Sequence, residues 1–127
     1  SYASLEKNGD GFKIIVSSYQ DEQRKRFAIA QELGHLFLHM GYKTNAEIWE
    51  KQADKVPFQE KDPEKVRQAN EFAAALLMPR YIFFLTLEAA SDIAESGKRT
   101  IHMQAVADFF NVSLSAAYTR AKIFGII

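Results

Sequence analysis

Cysteine is absent from all 127 residues. That excludes disulfide staples, thiolate metal sites and cysteine nucleophiles. It suits a reducing compartment, so a cytoplasmic location is the expectation. Net charge is absent as well: 16 Lys and Arg balance 16 Asp and Glu. A neutral chain has little to drive non-specific binding to nucleic acid or to an anionic membrane. No apolar run approaches the roughly 20 residues of a membrane span, and no signal-peptide pattern is visible. Proline occurs three times, and neither an internal repeat nor a low-complexity tract appears. The chain opens on Ser1 rather than Met, which leaves room for a flanking domain. What is plentiful is apolar side chain. At 47% hydrophobic and 13% aromatic residues the chain can bury a real core, and residues 1–127 are expected to form one domain.

The densest stretch is Arg26–His39. Phe27, Ala28, Ile29, Ala30, Leu33, Leu36, Phe37 and Leu38 cover almost the whole circumference of a helix, the pattern of an element that others pack around. Gln31, Glu32, His35 and His39 interrupt it. Polar groups in such a helix cost several kcal/mol unless paired or bound to something. Gln31 and His35 are one turn apart on one face. The spacing of Gln31-Glu32-Leu33-Gly34-His35 is that of the HExxH zinc peptidases, in which two His hold the metal and the Glu takes a proton from its bound water. Here the base and the second ligand are present and the first ligand is an amide, a poor zinc donor beside imidazole. Glu32, His35 and His39 also share one face, so a relocated site of two His and a carboxylate is conceivable. The plainer alternative makes Gln31, Glu32 and His35 hydrogen-bonded core groups.

Along the chain, Asn8-Gly9-Asp10-Gly11 signals a turn and Phe12–Val16 a strand; with Tyr2–Leu5 as its partner, residues 2–18 make a hairpin. A helix follows from about Asp21 to Met40, stopped by Gly41. Residues 42–62 read as a long excursion with one short helix near Ala46–Gln52, of the length often used for lids. Trp49 and Phe58 pack beneath it. Asp62-Pro63-Glu64 starts a helix to Met78. This helix is expected to pack on residues 21–40, with Glu32 and His35 turned toward it. Tyr81–Glu95 reads as a third helix and Gly97-Lys98-Arg99-Thr100 as a turn, with His102 in a solvated turn. Met103–Phe110 and Ser113–Phe124 flank an Asn-Val turn. Residues 100–125 are thus helix-turn-helix-like, with Lys98, Arg99, Arg120 and Lys122 against Asp108. A DNA-binding module would look this way; two helices completing the core would too.

Three segments in order carry a resemblance. Arg26–His39, then Gln68-Ala-Asn-Glu-Phe-Ala-Ala-Ala-Leu-Leu-Met-Pro79, then Val112-Ser113 with Arg120 and Gly125-Ile126 resemble the ImmA/IrrE family of metallopeptidase-like proteins. The resemblance implies an α+β, zincin-like domain: a short N-terminal sheet packed on four to five helices. It also implies a zinc ion held by the active-site helix and by an acid from a second helix. Family members are linked to cleavage of helix-turn-helix repressors in phage, mobile-element and stress-response circuits. Two expected ligands are replaced. The first is Gln31. The third, four residues before Asn70, is Val66; the neighbouring candidate, two residues before Asn70, is Gln68. Glu64 and Glu71 are the nearest acids but are rotated away, and His39 is a further weak candidate. The leading expectation is therefore a degenerate domain that binds a protein partner without hydrolysis and without a cofactor. An active zinc endopeptidase, with Glu32 as base and His35 as ligand, is the first alternative. A DNA-binding module is the second.

Overall fold

The computed structural model describes residues 3–19 and 21–127. They fall into two compact units, one up to Ala73 and one from Ala74 to Ile127. No single described helix is long and apolar enough to cross a membrane.

The first unit opens with an antiparallel hairpin. Strand β1, Ala3–Asn8, pairs with β2, Gly11–Val16, in the register Leu5↔Ile14 and Asn8↔Gly11. The tight turn needs a left-handed residue, and Gly9 supplies it at φ +64° without a Cβ penalty. The expected partner strand began at Tyr2, which lies outside the described residues. Helix α1 then spans Glu22–Leu38. Asp21 caps it by accepting from the Arg24 backbone N–H at 2.8 Å, satisfying one of the orphan donors of the first turn. Gly41 ends the excursion out of the helix at φ +79°, where a Cβ would lie 2.6 Å from the Asn45 carbonyl oxygen. Leu5, Leu36 and Met40 are fully buried together, with Trp49 and Phe58 packed on them. Burial around α1 is less complete than its composition suggests: Ile29 and Leu38 are exposed.

The excursion holds a short helix α2, Ala46–Glu50, and then lies along the free edge of β1. The N–H of Lys55 donates to the Lys7 carbonyl and that of Phe58 to the Leu5 carbonyl, each at 2.7 Å. Gly9 N–H donates to Asp54 at 2.8 Å. Helix α3, Pro63–Leu77, starts where Asp62 accepts from the Glu64 N–H at 2.9 Å.

The second unit contains helix α4, Arg80–Ala89, strands β3, Ser91–Ile93, and β4, Arg99–Ile101, and helices α5, Met103–Phe110, and α6, Leu114–Ile123. Its core is Met78, Phe83, Leu87, Val106, Ala107, Phe110, Ala117 and Ala121. Two expectations are corrected here. The helix expected to reach Glu95 stops at Ala89, and Arg99-Thr100 is strand rather than turn. Ser91 and Asp92 compete with the helical backbone for hydrogen bonds, and Gly97 at φ +86° reverses the chain into a second hairpin. Ile93, an apolar position of the expected helix, is 73% exposed. His102 does not stand alone in solvent: its Nε2 lies 2.6 Å from Asp92 Oδ2.

The α5–α6 pair has the turn its sequence promised. Asn111 takes φ +53° and Ser113 caps α6 by accepting from the Ala116 N–H at 3.0 Å. Arg120, the cation a DNA reader would have used, is turned inward. It is buried, donates from Nε to the Met78 carbonyl at 3.0 Å, and lies over the Phe124 ring. Burial, then the neighbouring Arg80, pulls its pKa below the ordinary value. Arg120→Ala is expected to cost about 1–2 kcal/mol of stability in urea denaturation, with no sequence-selective DNA complex lost in a gel shift at physiological salt. A tight, selective complex that disappears with this change would contradict the inward role. The fold is α+β, with two small antiparallel sheets and six helices among the described residues.

Candidate functional site

The site is built around Gly34. A Cβ there would stand 3.0 Å from Ala69 Cα and 3.1 Å from Phe72 Cβ. Glycine in a helix interior costs about 1 kcal/mol relative to alanine, and the close crossing of α1 with α3 accounts for it. Phe37 and Phe72 pack beside the crossing with ring centroids 6.2 Å apart. On one side Gln31 donates from Nε2 to Asn70 Oδ1. On the other, His39 Nε2 lies 2.8 Å from Gln68 Oε1, and His39 Nδ1 lies 2.8 Å from His35 Nδ1. The contacts to α3 thus come from Gln31, Gly34, Phe37 and His39.

Glu32 and His35 line a cleft of about 400 Å³ whose other walls are Ala3 and Ser4 of β1 and residues 57–61. Phe58 packs against the His35 ring at 5.6 Å between centroids. Burial pushes the Glu32 carboxyl up to about 7, and no neighbouring charge or hydrogen bond among the described residues offsets it. His35 is buried, and burial pulls its pKa down, with His39 adding to the effect and Glu60 opposing it. Glu60 is itself mostly covered and pairs with Lys65 at 3.6 Å. An acid raised by desolvation beside a neutral imidazole is the kind of pair that marks a functional cleft.

The other sequence candidates lie elsewhere. Glu64 and Glu71 sit on the exposed face of α3, both paired with Arg67. The Arg67 hydrogen bond holds Glu64 below the usual carboxylate range. Val66 is partly exposed. Of the two positions considered for a third ligand, Gln68 is the one hydrogen-bonded to a histidine, His39. Sequence reasoning gives Asn70 and Glu60 no role, and has Phe58 packing beneath the excursion rather than lining a cleft. Asn70 carried a signal in the Gln68–Pro79 run, whereas Phe58 and Glu60 lie in a stretch without periodicity.

The donor set can be tested against the zinc that the resemblance implies. A catalytic zinc takes about three protein ligands from His, Asp, Glu or Cys. Gln31 is committed to Asn70 through its amide nitrogen, Gln68 to His39 through its oxygen, and Val66 has no donor. The two His Nδ1 atoms at 2.8 Å are a hydrogen bond apart; two imidazoles on one tetrahedral zinc hold their nitrogens about 3.3 Å apart. Among the described residues no group of three or more His, Asp or Glu converges on a common point. The residues present do not fit the ion, and no chemical step is routed through it.

No curated protein matches the chain significantly. The family model Peptidase_M78, described as IrrE N-terminal-like domain, matches residues 6–122, a span running from β1 to the last turn of α6. That match covers the crossing, the α5–α6 pair and the cleft apart from Ala3 and Ser4, and the chain therefore belongs to the Peptidase_M78 family of IrrE N-terminal-like, zincin-like domains, the ImmA/IrrE group that its motifs resemble.

Proposed function

We propose that this zincin-like domain has given up metal-dependent hydrolysis and acts by binding a protein partner, a helix-turn-helix transcriptional regulator of the cytoplasm, in the cleft beside α1. The observation that carries the reading is the fate of Gln31 and Gln68. Gln31 stands where the resemblance places the first metal ligand, and Gln68 at the second candidate position for the third, after Val66; each is an amide engaged in a hydrogen bond between α1 and α3. The cleft beside them is intact and still presents Glu32 and His35. In the zincin mechanism the base acts on a water acidified by zinc, which this donor set does not provide for Glu32. What is left is a concave surface with a few convergent polar groups, which is a binding site.

Metal analysis of protein purified without chelator is expected to find substoichiometric zinc. Titration with a helix-turn-helix regulator, followed by mass spectrometry, is expected to find a complex in which both chains remain intact. Zinc bound tightly at one per chain, with His35 among its ligands and the regulator cut, would replace this reading by that of a working endopeptidase.

A further inference from the structure

The hydrogen-bond chain behind the cleft has a direction. Gln68 offers its amide oxygen to His39 Nε2 at 2.8 Å. An amide oxygen only accepts, so His39 carries its hydrogen on Nε2. A neutral imidazole has one N–H, which leaves His39 Nδ1 a bare lone pair. That lone pair faces His35 Nδ1 at 2.8 Å, so His35 donates from Nδ1 and its Nε2 is the bare nitrogen. His35 also lines the cleft, together with Glu32. The bare nitrogen of His35 is therefore an acceptor, and the Glu32 carboxyl that lines the same cleft is one when ionised.

We propose that the cleft takes a cationic, hydrogen-bond-donating side chain of the partner, a lysine or an arginine, and that Gln68 and His39 are the positioning residues that fix the acceptor it meets. This rests on the reading of the site as a place where a partner binds without being cut. An apolar side chain would bury both acceptors unsatisfied, and an anionic one would add repulsion from Glu32. An ammonium or guanidinium group satisfies them with charge-assisted hydrogen bonds, the stronger kind. Pro57 and Phe58 line the same cleft and give the aliphatic stem of such a side chain an apolar wall. Glu60 faces His35 with the same sign as Glu32. Lys61, the one cation lining the cleft among the described residues, is exposed at its rim.

The test is NMR on the uniformly ¹⁵N-labelled chain. Long-range imidazole spectra are expected to give the Nδ1–H tautomer for His35 and the Nε2–H tautomer for His39. Titration with N-acetyl-arginine amide and N-acetyl-lysine amide is expected to shift the signals of Glu32 and His35, with at least about tenfold weaker effects from the norleucine and glutamate amides. Glu32→Gln is expected to weaken the arginine probe about tenfold. Gln68→Leu should leave the fold in place, mix the His35 tautomers and weaken the probe in step; a merely structural Gln68 would not move the tautomer. Finding His35 as the Nε2–H tautomer overturns the proposal. So does norleucine amide binding as well as arginine amide, or arginine amide leaving Glu32 and His35 unshifted at saturating concentration. Failure of the partner-binding reading looks different: one zinc per chain and a cleaved regulator, whatever the probes do.

Discussion

Gly34→Val is expected to destabilise the N-terminal unit by about 3 kcal/mol or more, at the upper end of what overpacking costs. The first carbon of any side chain at this position meets Ala69 Cα at 3.0 Å and the Ala69 carbonyl oxygen at 3.2 Å. Those neighbours are backbone, so they give way only if α3 moves off α1. Moving α3 would stretch the Gln31–Asn70 and His39–Gln68 hydrogen bonds that flank the crossing. Alanine is the informative comparison. It gains about 1 kcal/mol of helix propensity over glycine and adds one carbon, so Gly34→Ala is expected to fall near neutral. Valine adds two further methyl groups and a β-branched side chain that helices disfavour. Urea denaturation followed through Trp49, the sole tryptophan and part of this unit's core, reads the difference directly. A valine variant as stable as the alanine one would mean that the helices do not meet as closely as described.

Glu32→Gln is expected to stabilise the protein by about 2 kcal/mol near pH 8 and to change it little near pH 4.5. The carboxyl titrates near its ordinary value of 4.5 in the unfolded chain and at about 7 in the fold. Between those values the folded state binds the extra proton, so stability falls as pH rises through the window. Above about 7 the carboxylate is ionised in both states and its full penalty is present. The shift alone corresponds to about 3 kcal/mol, and partial exposure trims it. His35 works in the opposite sense: its folded value lies below the ordinary 6.5, so its contribution is present above that value and is lost as pH falls. Because His35 is common to both proteins, the difference between parent and variant isolates Glu32. A variant less stable than its parent near pH 8 would refute the desolvation account. Retention of a carboxyl that costs stability when ionised points to use rather than architecture.

Whatever was written in local chemistry could be read from the sequence. The cap Ser113, Asp21 as one of three cap candidates with Ser17 and Ser18, the Asp62-Pro63-Glu64 start, the Gly9 turn and the short helix at Ala46 each depend on residues within a few positions of one another. Gln31 as the departure from a metal site was legible for the same reason, since its spacing to His35 is fixed by one helical turn. The β3–β4 hairpin was not legible. Three-residue strands are too short for a period, and the apolar run into Ile93 continues the pattern of α4. Long-range pairings were equally hidden. That Gln68 reaches His39 depends on how α3 crosses α1, and that Arg120 turns toward Met78 depends on how α6 packs. The cleft's far wall follows from Phe58 being pinned to Leu5 across the sheet edge, which no local pattern encodes.

That edge pairing also sets an order of events. The hairpin and α1 close over short sequence distances, whereas the contacts that cover β1 and its turn join Gly9 to Asp54, 45 positions along the chain, and Leu5 to Phe58, farther still. Loop closure of that kind is slow relative to hairpin and helix formation. A chain emerging during synthesis therefore holds β1 with one side open until residue 58 has been made. An open strand edge is a template for pairing with other chains. Residues 54–58 act as the chain's own cap on that edge, arriving late, and the interval before they dock is when the nascent chain is most exposed to aggregation.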